Sequence, residues 1–396
     1  MTKAAAVELD DLMNARHVHL SDSWEAPTVF AGAVRDDQIA LTKLLQDRPD
    51  IAVVDPVRHI ADDLFEFRNP DKIDNTAARR KFLDAAIHDG SEWGTWVYFP
   101  WKRAIVRFPN PDDHWGLRTF RNRNLITASE SEVLRAATVA VFGLSVGSNI
   151  VDQCVQTGIG EKIVMGDTDT VSPTNLNRIR AAMSDVGLPK VVVQARKVSE
   201  SNPFVEQVHL ERGYTPSSDT VLDEHRPDVI VDEVDDVVSK ARIRRYAQSR
   251  GIPVVMVADL ADKAVIDVER HDQGNVTPFL GRLSQQEFEM LCEGGGTEKE
   301  RRQALVKIVG ARHISPKMLA SVMQIGTSLA GFPQLGSAAT AGGALASVVI
   351  REIILDRKMR SGHYVFSPKR ILDLQRDMSI PATAATMWNF RTYVRR

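Results

Sequence analysis

From Thr138 onward the chain alternates short apolar runs with stretches of helical length, and that alternation restricts the architecture more than any other feature. The runs TVAVFG (138–143), KIVMGD (162–167), Val205–Leu210, DVIVDEV (228–234) and PVVMVAD (253–259) have the length and composition of buried strands. Between them lie SNIVDQCVQTG (148–158), Pro189–Ser201, the short piece Thr220–Glu224 and Val238–Arg250, which read as helices. Strands alternating with helices predict an α/β fold: a doubly wound, mostly parallel, Rossmann-like sheet with helices on both faces. Ligands of such sheets bind outside the carboxyl ends of the strands. The polar residues fall at those ends: Gly143-Leu144-Ser145, Asp167, Asp169 and Asp235.

A chain of 396 residues is longer than one hydrophobic core usually supports. Residues 1–115 carry a mixed pattern and predict a smaller α+β domain, leaving 116–396 for the sheet. Asp36–Leu45 and Thr76–His88 read as helices and Ile51–Val54 as a strand. Trp96–Phe108 reads as a hairpin turning near Lys102-Arg103, and Asn110-Pro111-Asp112-Asp113 follows as a boundary signal. Trp93, Trp96, Trp101 and Trp115 crowd this part and are expected to build its core. Met318–Ile350 contains no charged residue, but Gly331-Phe332-Pro333 interrupts it. Two buried helices are expected, the second over Gly336–Leu355. Its small residues permit close backbone approach, either in a subunit interface or in a core.

Fifty Lys and Arg face 52 Asp and Glu, which argues against a nucleic-acid coat or a polybasic membrane anchor. Two cysteines cannot make a disulfide scaffold or a four-cysteine zinc site. The opening MTKAAAVELDDLMN is acidic and amphipathic, unlike a secretory signal, so a cytoplasmic location without membrane association is expected.

The turn Gly143-Leu144-Ser145-Val146-Gly147 has three readings. It can cradle a phosphate at a helix N-terminus, serve as a plain strand–helix turn, or expose Ser145 as the nucleophile of a G-x-S-x-G elbow. The next strand favours the first. Asp167 stands about one βα unit on, where a ribose hydroxyl would be held, and Asp169, Asn175 and Arg178 follow it. Lys190 opens a helix after Gly187-Leu188-Pro189, and Asp235-Asp236 end a later strand. Backbone donors, two cations and a carboxylate at one sheet edge suit a polyphosphate with a divalent metal. An NAD(P)-dependent oxidoreductase fits the glycine turn and Asp167 but leaves Arg178 and Lys190 without a role. A non-catalytic nucleotide-binding scaffold is the other alternative.

Five ordered elements are now in view. They are Arg121-Asn122-Arg123-Asn124, the turn GLSVG, D-x-D-T-V-x-x-x-N-L-N-R (167–178), G-x-P-K (187–190) and D-x-x-x-D-x-x-D-D (228–236). Together, over roughly Arg118–Leu355, they resemble the E1-like, ThiF/MoeB/HesA-type, ATP-dependent adenylyltransferases. The resemblance implies ATP and Mg²⁺. It implies nucleotide binding by Gly143, Ser145, Gly147, Asp167, Asp169 and Asn175, with Asp167 on the ribose. It also implies Arg178 and Lys190 on the phosphates, Asp235 beside the metal, and Arg123 (or Arg121) reaching into the site of a second subunit, hence a homodimer. Relative to the family pattern the glycine turn is one residue shorter, with Ser145 where glycine is common. The paired C-x-x-C motifs are absent, so no structural zinc is expected. Cys292 lies in FEMLCEGGGTEKERR, which reads as a mobile loop over the site; its thiol is either a thioester or persulfide nucleophile or incidental. Cys154 is expected in the core.

The implied chemistry needs these residue types. A carboxylate attacking the α-phosphorus of ATP brings two anions together, so fixed cations must neutralise the phosphates. No general base is required, because the attacking carboxylate is already ionised. The expected substrate is the carboxylate of a peptide or small carrier protein, with the extra N-terminal domain capturing it. A nucleic-acid substrate is less expected, given the lack of basic excess.

Overall fold

The computed structural model describes residues 22–274, 276–310, 314–374 and 378–395. The chain divides into two units between Asn110 and Pro111, just ahead of a helix, Pro111–Thr119, that runs past residue 115.

In the first unit, strands β1 (Thr28–Ala31), β2 (Ala52–Val54), β3 (Thr95–Phe99) and β4 (Ala104–Phe108) form one sheet in the order β1-β3-β4-β2. The hairpin lies where the sequence puts it. β3 and β4 pair antiparallel from Thr95 opposite Phe108 to Phe99 opposite Ala104, and Arg103 turns the chain at φ +47°. Thr76–His88 is a helix, begun by Asn75, whose side chain accepts from the Ala78 N–H at 3.0 Å. Arg35–Asp47 is the other expected helix, and Val57–Arg68 is one the sequence reading did not identify. Trp96 is buried with Phe30, Ile51, Tyr98 and Ile105, and Arg107 stacks on its ring at 4.2 Å. Trp115 belongs to the second unit.

The second unit is built on seven strands: β5 (Thr138–Phe142), β6 (Lys162–Gly166), β7 (Glu206–Leu210), β8 (Val229–Asp232), β9 (Val254–Leu260), β10 (Lys263–Glu269) and β11 (Gly362–Phe366). Their order is β11-β10-β9-β8-β5-β6-β7. β7, β6, β5, β8 and β9 are parallel, as the alternation predicts. The antiparallel β10 and β11 add a flank that the sequence reading missed. Phe142 is level with both Gly166 and Asp232, so three carboxyl ends finish together. The strand order reverses between β5 and β8, and this is the switch point at which such sheets open a crevice.

The helix Gly336–Ile354 packs on the helix Val146–Thr157 and on β9 and β10. Its glycines explain the closeness: a Cβ on Gly343 would fall 2.7 Å from that of Asn149, and one on Gly342 would fall 2.7 Å from Val257 Cγ1. This helix is long and apolar enough to cross a bilayer, yet half of it is buried inside the chain. Cys154 lies in the core on Val146–Thr157, where burial pushes its thiol up to about 12.

Candidate functional site

Gly143 leaves β5 at φ +88°, and a Cβ there would overlap the Glu233 carbonyl oxygen at the end of β8. Glycine is therefore required both by conformation and by the closeness of the two strand ends. The turn is tied to the next strand. Asp167 is 8% exposed; its Oδ2 accepts from the Leu144 N–H at 2.6 Å and its Oδ1 from the Asp169 N–H at 2.8 Å. Each oxygen keeps a further lone pair for a ligand hydroxyl. Burial raises the Asp167 carboxyl, while Lys190 and the two amides hold it down.

Lys190 opens the helix Lys190–Ser201 and is itself 8% exposed. Its Nζ lies 2.7 Å from Asp169 Oδ2 and 3.8 Å from Asp167 Oδ2. Arg178 Nε donates to Ser145 Oγ at 3.0 Å, and its Nη1 donates to Asn177 Oδ1 at 3.0 Å. Three sequence motifs thus meet on hydrogen bonds and ion pairs. The Ser145 that departs from the family pattern acquires a partner, Arg178, which cannot serve as a base, so the elbow reading loses its support.

Asp235 follows β8 and is exposed at the switch point. Two carboxylates near it went unassigned in the sequence. Asp259, at the end of β9, is 8% exposed; Gln334 Nε2 donates to its Oδ1 at 3.0 Å, and its Oδ2 is buried without a hydrogen-bond partner. Burial raises Asp259, with Asp235 adding to the rise and Arg178 opposing it. Glu233 is raised well above the usual carboxylate range, first by burial, and accepts from the Val257 N–H at 2.5 Å. The available signal was a polar residue closing an apolar strand at its carboxyl end. Beneath these residues, Asp232 is fully buried between Lys240 and Arg244, and Arg244 Nε also reaches Glu269 at 2.6 Å. This paired network fixes the end of β8.

Three residues singled out in the sequence stand apart from this cluster. Asn175 is buried, but its Oδ1 accepts from the Ser172 N–H at 3.0 Å, so it shapes the loop that carries Arg178. Arg123 lies against the Phe120 ring in a segment tied by Asn122 to Thr157 O. Thr157 ends the helix that begins at the glycine turn, about 18 Å away by helical rise; Arg123 is outside its own chain's site. Cys292 is not on a mobile loop. It ends the helix Gln285–Cys292, is 4% exposed, and packs with Ala241, Phe279, Leu291 and Ile308. Burial pushes its thiol up to about 11. The glycines after it turn tightly, with Arg301 Nε donating to Gly295 O at 3.1 Å.

The sequence profile of the ThiF family matches residues 119–356, well over half the chain. This chain belongs to the ThiF family. It is 31% identical over 331 residues to uncharacterized protein MT1398 of Mycobacterium tuberculosis, covering 83% of this chain and 45% of that protein. It is also 31% identical over 145 residues to the tRNA threonylcarbamoyladenosine dehydratase of Bacillus subtilis, covering 36% of this chain and 57% of that one. The chain thus spans about half the length of these curated relatives. Among solved structures, the Escherichia coli tRNA N6-threonylcarbamoyladenosine dehydratase, TcdA, is 20% identical, with a TM-score of 0.45; the match covers 62% of this chain and 96% of that one. The ThiF match begins after the first unit.

Proposed function

We propose that this chain binds ATP at the switch point and transfers its adenylyl group to a carboxylate, giving an acyl-adenylate and pyrophosphate. The observation that carries this reading is the convergence of Lys190, Arg178, Asp167 and the glycine turn on one edge of the sheet. The ribose hydroxyls take the remaining lone pairs of Asp167. The phosphates lie against the N-terminus of Val146–Thr157, drawing Lys190 from Asp169 and meeting the Arg178 guanidinium while its Nε stays on Ser145 Oγ. A substrate carboxylate oxygen bonds to the α-phosphorus as the bond to the pyrophosphate oxygen breaks, and the fixed cations take up the negative charge. Hard oxygen donors suit magnesium, and the exposed Asp235 beside Asp259, with its unpartnered oxygen, fits that ion. When bound, Mg²⁺ supplies charge neutralisation for the departing pyrophosphate.

In this reading the enzyme works in the cytoplasm as a homodimer, with Arg123 completing the partner's site. The substrate is a peptide or small carrier protein, and the first unit, outside the ThiF match, captures it. Membership of the ThiF family and the roles this gives Arg178 and Lys190 favour adenylation over NAD(P) chemistry; titration with ATP against NADH separates the two. The test is exchange of labelled pyrophosphate into ATP, with candidate peptides, carrier proteins and, because relatives are named as tRNA enzymes, tRNA in parallel arms. Exchange with one class, abolished by Asp235→Asn, is expected. No exchange with any class, together with no ATP binding, ends the proposal.

A further inference from the structure

The four-stranded sheet of the first unit is covered unequally. On the face bearing Trp96 and Ile105 lies the helix Arg35–Asp47, none of whose residues is fully buried. Between that helix and the sheet is a cavity of about 260 Å³ lined by Phe30, Leu41, Leu45, Val53, Trp96 and Ile105. Val53, on the edge strand β2, is 54% exposed at its rim.

Several polar groups around the cavity are bonded within its wall. Asp37 Oδ2 accepts from the Ala31 N–H at 2.7 Å, and Gln38 Nε2 donates to Gly32 O at 2.6 Å. Thr42 Oγ1 donates to Gln38 O at 2.8 Å, and the Trp96 indole N–H donates to Ser91 O at 3.0 Å. What remains facing the space is chiefly hydrocarbon and ring. An apolar cavity of roughly 150 Å³ accepts benzene, so this one has room for a fused bicyclic ring. The Asp37 carboxylate in the wall disfavours an anion there.

We infer that this cavity is a binding site for a neutral, apolar group of about the size of indole, separate from the nucleotide site of the second unit. The inference does not rest on the adenylation reading. The group could arrive as a free small molecule or as the side chain of an extended peptide, and two probes distinguish these sources.

The experiment titrates the full chain with indole, with the blocked tripeptide acetyl-Gly-Trp-Gly-amide and with indole-3-acetate, read by calorimetry and ligand-observed NMR. Indole is expected to bind at least tenfold more tightly than indole-3-acetate. Tripeptide binding tighter than indole assigns a peptide source; indole binding alone assigns a small molecule. Val53→Arg, at an exposed position, should weaken the neutral probes at least tenfold by placing a charge at the rim. Leu41→Trp, which fills the space, should do the same without lowering the thermal midpoint. Lys190→Ala should leave indole binding unchanged, so failure of the nucleotide site is read separately. Neither indole nor tripeptide binding at millimolar concentration, or binding unchanged in folded Val53→Arg, overturns the inference.

Discussion

Arg178 Nε donates to the hydroxyl oxygen of Ser145 across 3.0 Å, joining two motifs 33 residues apart in the chain. The bond holds the guanidinium over the glycine turn before any ligand arrives. A hydrogen bond to a charged group contributes about 1.5–3 kcal/mol. Ser145→Ala should therefore weaken ATP by roughly tenfold and also lower the thermal midpoint, because the half-buried Ser145 loses this bond in the free protein as well. Arg178→Lys should lose more, since a point charge cannot keep Asn177 and Ser145 together. Calorimetry with a non-hydrolysable ATP analogue checks both; an Ser145→Ala variant with undiminished affinity would show that the bond does not prepare the site.

Asp259 should trade stability for function. Its carboxyl is raised by burial, so the folded state holds the proton to higher pH than the unfolded chain does. Its contribution to stability is greatest below the ordinary carboxylate value and is lost as pH rises through the raised one. Asp259→Asn removes that loss and can still accept from Gln334. The variant should melt higher than the parent at pH 7, and the gap should close as pH falls toward about 4. Mn²⁺ affinity, followed by electron paramagnetic resonance, and pyrophosphate exchange should both fall. A variant less stable than the parent at neutral pH would contradict the assignment.

The parallel part of the second unit was legible because buried strands are continuous apolar runs, and β5, β6, β8 and β9 are such runs. β11, GHYVF, is a half-exposed edge whose pattern only pairing explains, and β10 is recognisable mainly once β9 is placed beside it. At the site, Lys190, Asp167 and Arg178 were legible because their motifs follow strand ends. Asn175 was not separable from them by sequence: an amide can bind a nucleotide or cap a turn, and only the Ser172 N–H in contact with it decides. Asp259 was passed over because it closes an apolar run without a motif around it. The stretch after Cys292 misled because three glycines suggest mobility, whereas here they make room for a tight turn between two packed helices.

Cys292 should prove dispensable for adenylation. With its thiol pushed up to about 11 by burial, it carries little thiolate at pH 7.5, and alkylation should accelerate only as pH approaches that value or the chain unfolds. Cys292→Ala removes one buried heavy atom and should cost about 1 kcal/mol of stability. Pyrophosphate exchange should stay at the parental rate. Rapid labelling of the native protein by iodoacetamide at neutral pH, mapped to Cys292, would restore it as a candidate nucleophile.

Two glycines at the site separate backbone strain from steric closeness. Gly187 has φ +93° with nothing near its missing Cβ, whereas Gly143 has φ +88° with the Glu233 carbonyl in the way. An alanine in left-handed backbone costs about 1–2 kcal/mol. Gly187→Ala should show that cost alone, with ATP binding reduced little. Gly143→Ala must also push β5 away from the end of β8, where Phe142 O accepts from the Glu233 N–H at 2.7 Å. Its loss should exceed about 3 kcal/mol, in the range reserved for core and backbone disruption, and ATP binding should disappear with it. Urea denaturation of the two variants side by side measures the difference; equal destabilisation would mean that the closeness of the two strand ends relaxes at no cost and does not fix the crevice.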